Sequence, residues 1–306
     1  RAAAASNTAF ADLAALIVVA CWGGNFVAVK FAVDAVPPIG VSLIRFGLGG
    51  LVLLAALRWR EGSVGLPRRD AVAMFVLGGL GFGLYQILWA TALRSTTAGD
   101  SALLVAATPI LTMLVAAVAG TDRLSGGRVL GALICFGGVG LVATRGATAA
   151  MGSGLLGPLM TLGAALCWAI YVSFGADVLR RHSPLRTTTW AILFGSICLL
   201  PVGLWELATQ PADFGPGVVV ALGYSTLLAV AVANVAFLFA VKVIGPLRVT
   251  AYQFLSPLFA VVLAALLLAE PITAAEIVGG LVIVGGILVA RRGGPQSDRS
   301  PRRQAA

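Results

Sequence analysis

LGFGLYQILWATALRSTTAGDSALLVAATPILTMLVAA, residues 80–117, is answered at a constant offset of 148 by LAVAVANVAFLFAVKVIGPLRVTAYQFLSPLFAVVLAA, residues 228–265. Gln86 falls on Asn234, Trp89 on Phe237, Arg94 on Lys242 and Thr108-Pro109 on Ser256-Pro257. The register runs on without a gap: Asp122 meets Glu270, Gly131 meets Gly279, and Gly137-Gly138 meets Gly285-Gly286. Self-similarity at one long period marks an internal duplication. The chain is therefore read as two units, 1–146 and 147–292. They are followed by a tail, 293–306, whose Pro, Gly, Ser and Arg content reads as disordered and basic.

Composition says what kind of unit was duplicated. The 306 residues are 59% hydrophobic and 11% charged, with mean hydropathy +0.99. Soluble domains carry about 25% charged residues, and no soluble fold of this size has the interior to hide so much apolar surface. The formal charge of +9 raises nucleic acid as a partner. The basic residues, however, stand between long apolar runs, the pattern of orientation in a bilayer, so lipid and not nucleic acid is the expected surroundings. Cys21, Cys135, Cys167 and Cys198 all lie within apolar runs and lack metal-ligand spacing, so they read as small buried hydrophobes. No removable signal peptide is expected, since the basic stretch, short apolar core and cleavage site do not occur together.

A spanning helix needs about 20 mostly apolar residues. Ten runs qualify: 13–33, 38–57, 71–93, 101–119, 129–144, 155–179, 187–207, 218–241, 249–269 and 275–290. They are continuous rather than alternating, which favours helices over a barrel. Spans 5 and 10 are short and are expected upright or peripheral. Lys and Arg in the connections give the orientation. The side holding both termini carries 17 of them, the opposite side 3 (Lys30, Arg94 and Arg145), and Arg45 is left within span 2. Both termini are therefore expected in the cytoplasm. Glu206, Asp213, Glu270 and Glu276 fall on the far side. Because each unit holds five spans, an odd number, the second copy must enter the membrane inverted. Inverted repeats are the architecture of secondary transporters.

CWGGNFVAVK (21–30), FLSPLFAVVLAALLLAEPIT (254–273) and VGGLVIVGGILV (278–289) make the chain resemble the drug/metabolite transporter superfamily in its EamA branch, with bacterial exporters of the YddG type the nearest guess. The first unit departs from the pattern, holding Asp122-Arg123 where the second has Glu270-Pro271. The resemblance implies a ten-helix exporter of small metabolites, often amino acids or their derivatives, in the bacterial inner membrane. It names no substrate.

Polar and aromatic residues at membrane depth usually face a bundle interior or an aqueous path. Tyr85, Gln86 and Trp89 form such a face on span 3, Trp22 and Asn25 on span 1, and Trp168 and Tyr171 on span 6. Tyr252, Gln253 and Ser256 do so on span 9, and Asn234 and Phe237 on span 8. Amides can pair with both ends of a zwitterion, and rings offer apolar faces and cation–π contact. The plainer alternative is that the amides tie helices together. Arg45 has Leu193 as its repeat partner and costs ~3 kcal/mol or more at depth unless paired or hydrated. It is a candidate contact for a substrate carboxylate, or else snorkels to the outer interface. Pro109 and Pro257 sit mid-span and favour kinks, hence candidate hinges for alternating access.

No GxxxxGK[ST] segment is present, and no carboxylate stands mid-span. Export down the metabolite's own gradient and proton antiport through an end-of-span carboxylate both stay open. An intramembrane enzyme would need a nucleophile with its base, or metal ligands, at depth; the one histidine, His182, lies in a loop. Neither a metal nor a cofactor is expected. Within transport the competing reading is efflux of lipophilic cations by proton antiport, which calls for a buried carboxylate. Nothing in the sequence calls for a second copy, and a monomer is the simplest state.

Overall fold

The computed structural model describes residues 2–120, 125–149, 155–244, 252–253 and 255–292. Within them the chain is helical throughout: α1 (Ala2–Ala35), α2 (Pro38–Glu61), α3 (Arg68–Ala92), α4 (Ala98–Val118) and α5 (Gly126–Ala149). The second half gives α6 (Leu156–Arg181) and α7 (Pro184–Thr209), then α8 (Pro216–Tyr224, running on through Ser225–Val232 and Ala233–Ile244). It ends with α9 (Ser256–Leu267) and α10 (Ala274–Arg292). Eight of the described helices are long and apolar enough to cross a membrane, and Ser256–Leu267 and Ala274–Ala290 are shorter apolar helices. Span 5 is the shortest of the eight, 18 residues from Gly126 to Ala143. Its helix has 24 residues, because it continues past the apolar run through Arg145 and the small residues after it.

Local chemistry sets the ends. Pro38, Pro184 and Pro216 stand in the first turns of α2, α7 and α8, where a missing N–H costs nothing. Gly62 closes α2 at φ +68°, its N–H returning to Arg58 O at 3.1 Å. Thr97 and Ser183 cap α4 and α7 through their side chains. Thr273 and Glu276 cap each other's backbone at the head of α10, at 2.7 and 3.2 Å.

The duplication is visible in irregularities as well as in regular helix. Gly79–Leu84 in α3 and Ser225–Val232 in α8 are both wound as π-helix, and the 148-residue offset lays one over the other. α4 breaks at Ala106-Ala107, just before Thr108-Pro109, and α9 starts at the matching Ser256-Pro257 after a turn at Leu255.

Packing follows the same symmetry. α5 lies against α10 through glycines that let the backbones touch. A Cβ on Gly131 would fall 2.5 Å from Gly286 O, and one on Gly138 would fall 2.7 Å from Gly279 O. Gly131 corresponds to Gly279 and Gly138 to Gly286, so the contact is reciprocal, as across a two-fold axis. The two helices run antiparallel, so that axis is perpendicular to them. α2 and α7 also pack on each other, Gly50 against the Leu193 side chain and Gly203 against that of Leu43. α6 packs on α3 and α4, and its counterpart α1 packs on α8 and α9.

The two ends of the bundle differ in charge. At the acidic end Glu206, in the last turn of α7, accepts from the N–H groups of Ile39 and Gly40 at the head of α2, at 2.8 and 3.0 Å. Glu270, after α9, accepts from Ala98 and Gly99 at the head of α4, at 3.1 and 3.3 Å. Lys30 donates to Leu93 O and Arg94 to Val33 O, joining α1 to the end of α3. Beneath these bonds lies an apolar core that includes Phe26, Val33, Trp89, Ala102, Ala260 and Ala264. At the basic end Asp70 holds Arg181 and His182, each at 2.6 Å, and Glu61 holds Arg186 at 3.0 Å.

A candidate carboxylate site around Arg45

The long side chain of Arg45 does not snorkel. It is 1% exposed and turns inward from α2. Its Nε donates to Ser225 Oγ, at the first residue of the π-helical stretch of α8. Its Nη2 donates to Asn25 Oδ1 on α1 at 3.1 Å, and the Ser225 hydroxyl donates to the same Oδ1. Three helices from both halves thus converge on one guanidinium. Its carbon lies 5.2 Å from the Phe46 ring centroid and 5.8 Å from that of Trp89. The third nitrogen, Nη1, is buried without a hydrogen-bond partner, and Arg45 forms no ion pair among the described residues. A buried charge lacking a counterion is among the costliest arrangements a fold can keep.

Most of the other sequence candidates fall into two groups. Trp89, 2% exposed, donates from Nε1 to Ser101 Oγ at 3.1 Å and packs on Phe26 and Tyr85. Gln86 is buried, 3.5 Å from the Ser42 hydroxyl. Tyr85, Trp168 and Tyr171 form a continuous half-buried aromatic wall with Phe82, centroids 5.2–5.9 Å apart. These residues adjoin Arg45 through Trp89 and Tyr85. Trp22 belongs to a second group: it packs on Phe237 at 5.3 Å and donates to Ala229 O at 3.1 Å. Tyr252 packs with Phe237 against Ala15 and Ala240. Asn234 donates back to Val230 O at 2.6 Å, satisfying a carbonyl of its own π-helical stretch.

Gln86 and Asn234 are therefore paired in sequence but sit in different settings, as do Trp89 and Phe237. Gln253 and Ser256 are half-buried, and the Ser256 backbone is tight against Gly23 of α1. Pro109 borders a cavity of about 370 Å³ that also meets Met113, Arg128 and Ile287. That cavity lies between α4, α5 and α10, away from Arg45.

Sequence reasoning missed Ser225, whose repeat partner is Leu77, and the two carboxylates that cap helices of the other half. A signal for the carboxylates existed, since Glu206 and Glu270 end spans on the side where α2 and α4 begin.

Comparison with known proteins matches this architecture. The model of the EamA-like transporter family matches residues 9–144 and again 155–292. The chain is 26% identical over 285 residues to the probable terminal-alkyne amino-acid exporter of Streptantibioticus cattleyicolor, covering 91% of this chain and 92% of that one. It is 27% identical over 291 residues to the probable amino-acid metabolite efflux pump of Salmonella typhimurium, covering 90% and 92%. An uncharacterized transporter of Archaeoglobus fulgidus is 26% identical over 267 residues, covering 87% and 92%. A crystal structure superposes with TM-score 0.62 at 21% identity, over 96% of this chain and 99% of that one, which speaks for the fold alone. With its family model matched twice over nearly the whole length, the chain is a multi-pass membrane transporter, not an enzyme, and belongs to the EamA-like transporter family.

Proposed function

We propose that the protein exports amino acids and related small carboxylates, aromatic and other neutral ones, across the bacterial inner membrane by alternating access. The observation that carries the reading is the buried Nη1 of Arg45, which has no hydrogen-bond partner, on a side chain that forms no ion pair among the described residues. A transporter tolerates such a charge if its counterion is the cargo: the carboxylate arrives, pairs and leaves. The relatives named as an amino-acid exporter and an amino-acid metabolite efflux pump point to the same class. Efflux of lipophilic cations is disfavoured, because a fixed positive charge at the site repels them.

On this reading ten helices span the membrane as two inverted repeats with both termini cytoplasmic. The perpendicular two-fold relation between α5 and α10 supports the inversion, and the loop charges support the orientation. The acidic end is then the outer one, and the conformation is closed to the outside. The breaks before Pro109 and Pro257 serve as hinges by which α4 and α9 swing to open that end. Counterflow in proteoliposomes tests the proposal. Vesicles preloaded with one unlabelled compound from a panel of neutral amino acids should draw in its labelled form. Uptake of lipophilic cations alone would overturn the assignment.

A further inference from the structure

We propose that the Arg45 site selects cargo carrying a net negative charge: monocarboxylates whose amine is acylated or absent, in preference to the parent zwitterions. This rests on the reading that Arg45 receives a carboxylate and concerns the opposite end of the cargo.

The site is rich in donors and poor in acceptors. Arg45 Nη1 is a free donor. Asn25 adds another. Its Oδ1 is fixed as acceptor by Arg45 Nη2 and the Ser225 hydroxyl, which leaves the amide NH₂ as a donor beside the guanidinium. A carboxylate can use both.

An ammonium needs acceptors, and the carbonyls that the helix irregularities would free each already accept a bond from the chain's own donors. The π-helical stretch of α8 and the break in α4 would be expected to free carbonyls, as interrupted helices do. Here Ala229 O accepts from Trp22, Val230 O from Asn234, Val105 O from Thr108 and Cys21 O from Tyr224. Ser101 accepts from Trp89.

No described carboxylate is placed to help. Glu206 is held by two N–H groups at the head of α2, and Glu270 by two at the head of α4. Of the remaining described acids, Asp12 stands on α1 thirteen positions before Asn25, and the others lie near helix ends. Two of the aromatic faces are already covered by a cation. Arg45 lies over Phe46 and Trp89, while Phe82, Trp168 and Tyr171 pack on one another. An ammonium entering here gives up water beside the like charge of Arg45, with no described carboxylate to offset it. Acylating the amine removes the charge, leaves the carboxylate, and adds an apolar group suited to the aromatic wall.

The test is binding of phenylalanine, N-acetylphenylalanine and phenylalaninamide to the purified full-length chain, by calorimetry in detergent. The expected result is N-acetylphenylalanine binding about tenfold more tightly than phenylalanine, with the amide not binding and Arg45→Gln losing the acetyl compound. Phenylalanine binding as tightly or more tightly, with the amide still excluded, overturns this inference and leaves the carboxylate reading standing. Preference for the cationic amide, binding unaffected by Arg45→Gln, or no binding of any of the three overturns both.

Discussion

Glu270 stands where the two hinge helices meet at the acidic end, and Glu270→Gln should loosen that end. The carboxylate accepts two backbone N–H bonds at the head of α4, at 3.1 and 3.3 Å. The residue before it, Ala269, is held at φ +54°, a left-handed conformation that costs a non-glycine residue ~1–2 kcal/mol. Such strain persists only where the surroundings enforce it, and here it aims Glu270 across at the other repeat.

A hydrogen bond to a charged group contributes about 1.5–3 kcal/mol and one between neutral groups about 0.5–1.5. Two bonds losing their charge lose roughly 2 kcal/mol, and the helix N-terminus adds ~0.5. The long distances and half-buried setting, together with relief of repulsion from Asp100 nearby, reduce this to about 1–2 kcal/mol, a 5- to 30-fold shift toward the open end. The reporter is Ala102→Cys, on the core face of α4 and 2% exposed, with the four native cysteines replaced by alanine. A membrane-impermeant maleimide applied from outside should label it 5- to 30-fold faster in the Glu270→Gln background. A lower melting temperature with an unchanged labelling rate would show the bonds to be mere fold stabilisers and would refute the latch.

Asn25→Asp places a carboxylate 3.1 Å from Arg45 Nη2. The variant should melt higher and lose carboxylate binding at least tenfold, because the guanidinium then carries its own counterion; calorimetry against the purified variant checks both. Gly131→Ala drives a Cβ to 2.4 Å from Ala290 N, whereas Gly137 faces open space. The first change should cost about 1–3 kcal/mol, seen as a lower detergent melting temperature, and Gly137→Ala should leave it unchanged. Pro109→Ala and Pro257→Ala should each slow counterflow severalfold while the protein stays monodisperse; normal flux in both would remove the hinge role.

The duplication was legible because helix packing holds glycines and prolines in register whatever the loops do. Gly131, Gly138, Gly279 and Gly286 are where sequence and structure agree in detail. The aromatic wall was also legible, since Trp168 and Tyr171 share a helical face by spacing alone. Arg45 was only half legible. Seven residues into a span, a guanidinium can reach either the interface or the interior, and the choice was made by Asn25 and Ser225, 20 and 180 positions away. Ser225 gave no sign, being one hydroxyl in an apolar run whose partner is Leu77. Gln86 and Asn234 correspond at the 148-residue offset. The structure places them differently because the π-helical stretch of α8 presents Asn234 with a carbonyl of its own helix.

The central claim is that the cargo supplies the counterion Arg45 lacks. Counterflow of a labelled neutral amino acid or its N-acetyl derivative into proteoliposomes, wild type beside Arg45→Gln, tests it most directly. The wild type should accumulate label transiently and the variant at least tenfold less, and the variant should remain folded because a buried unpaired charge has been removed. Equal accumulation by both would contradict it.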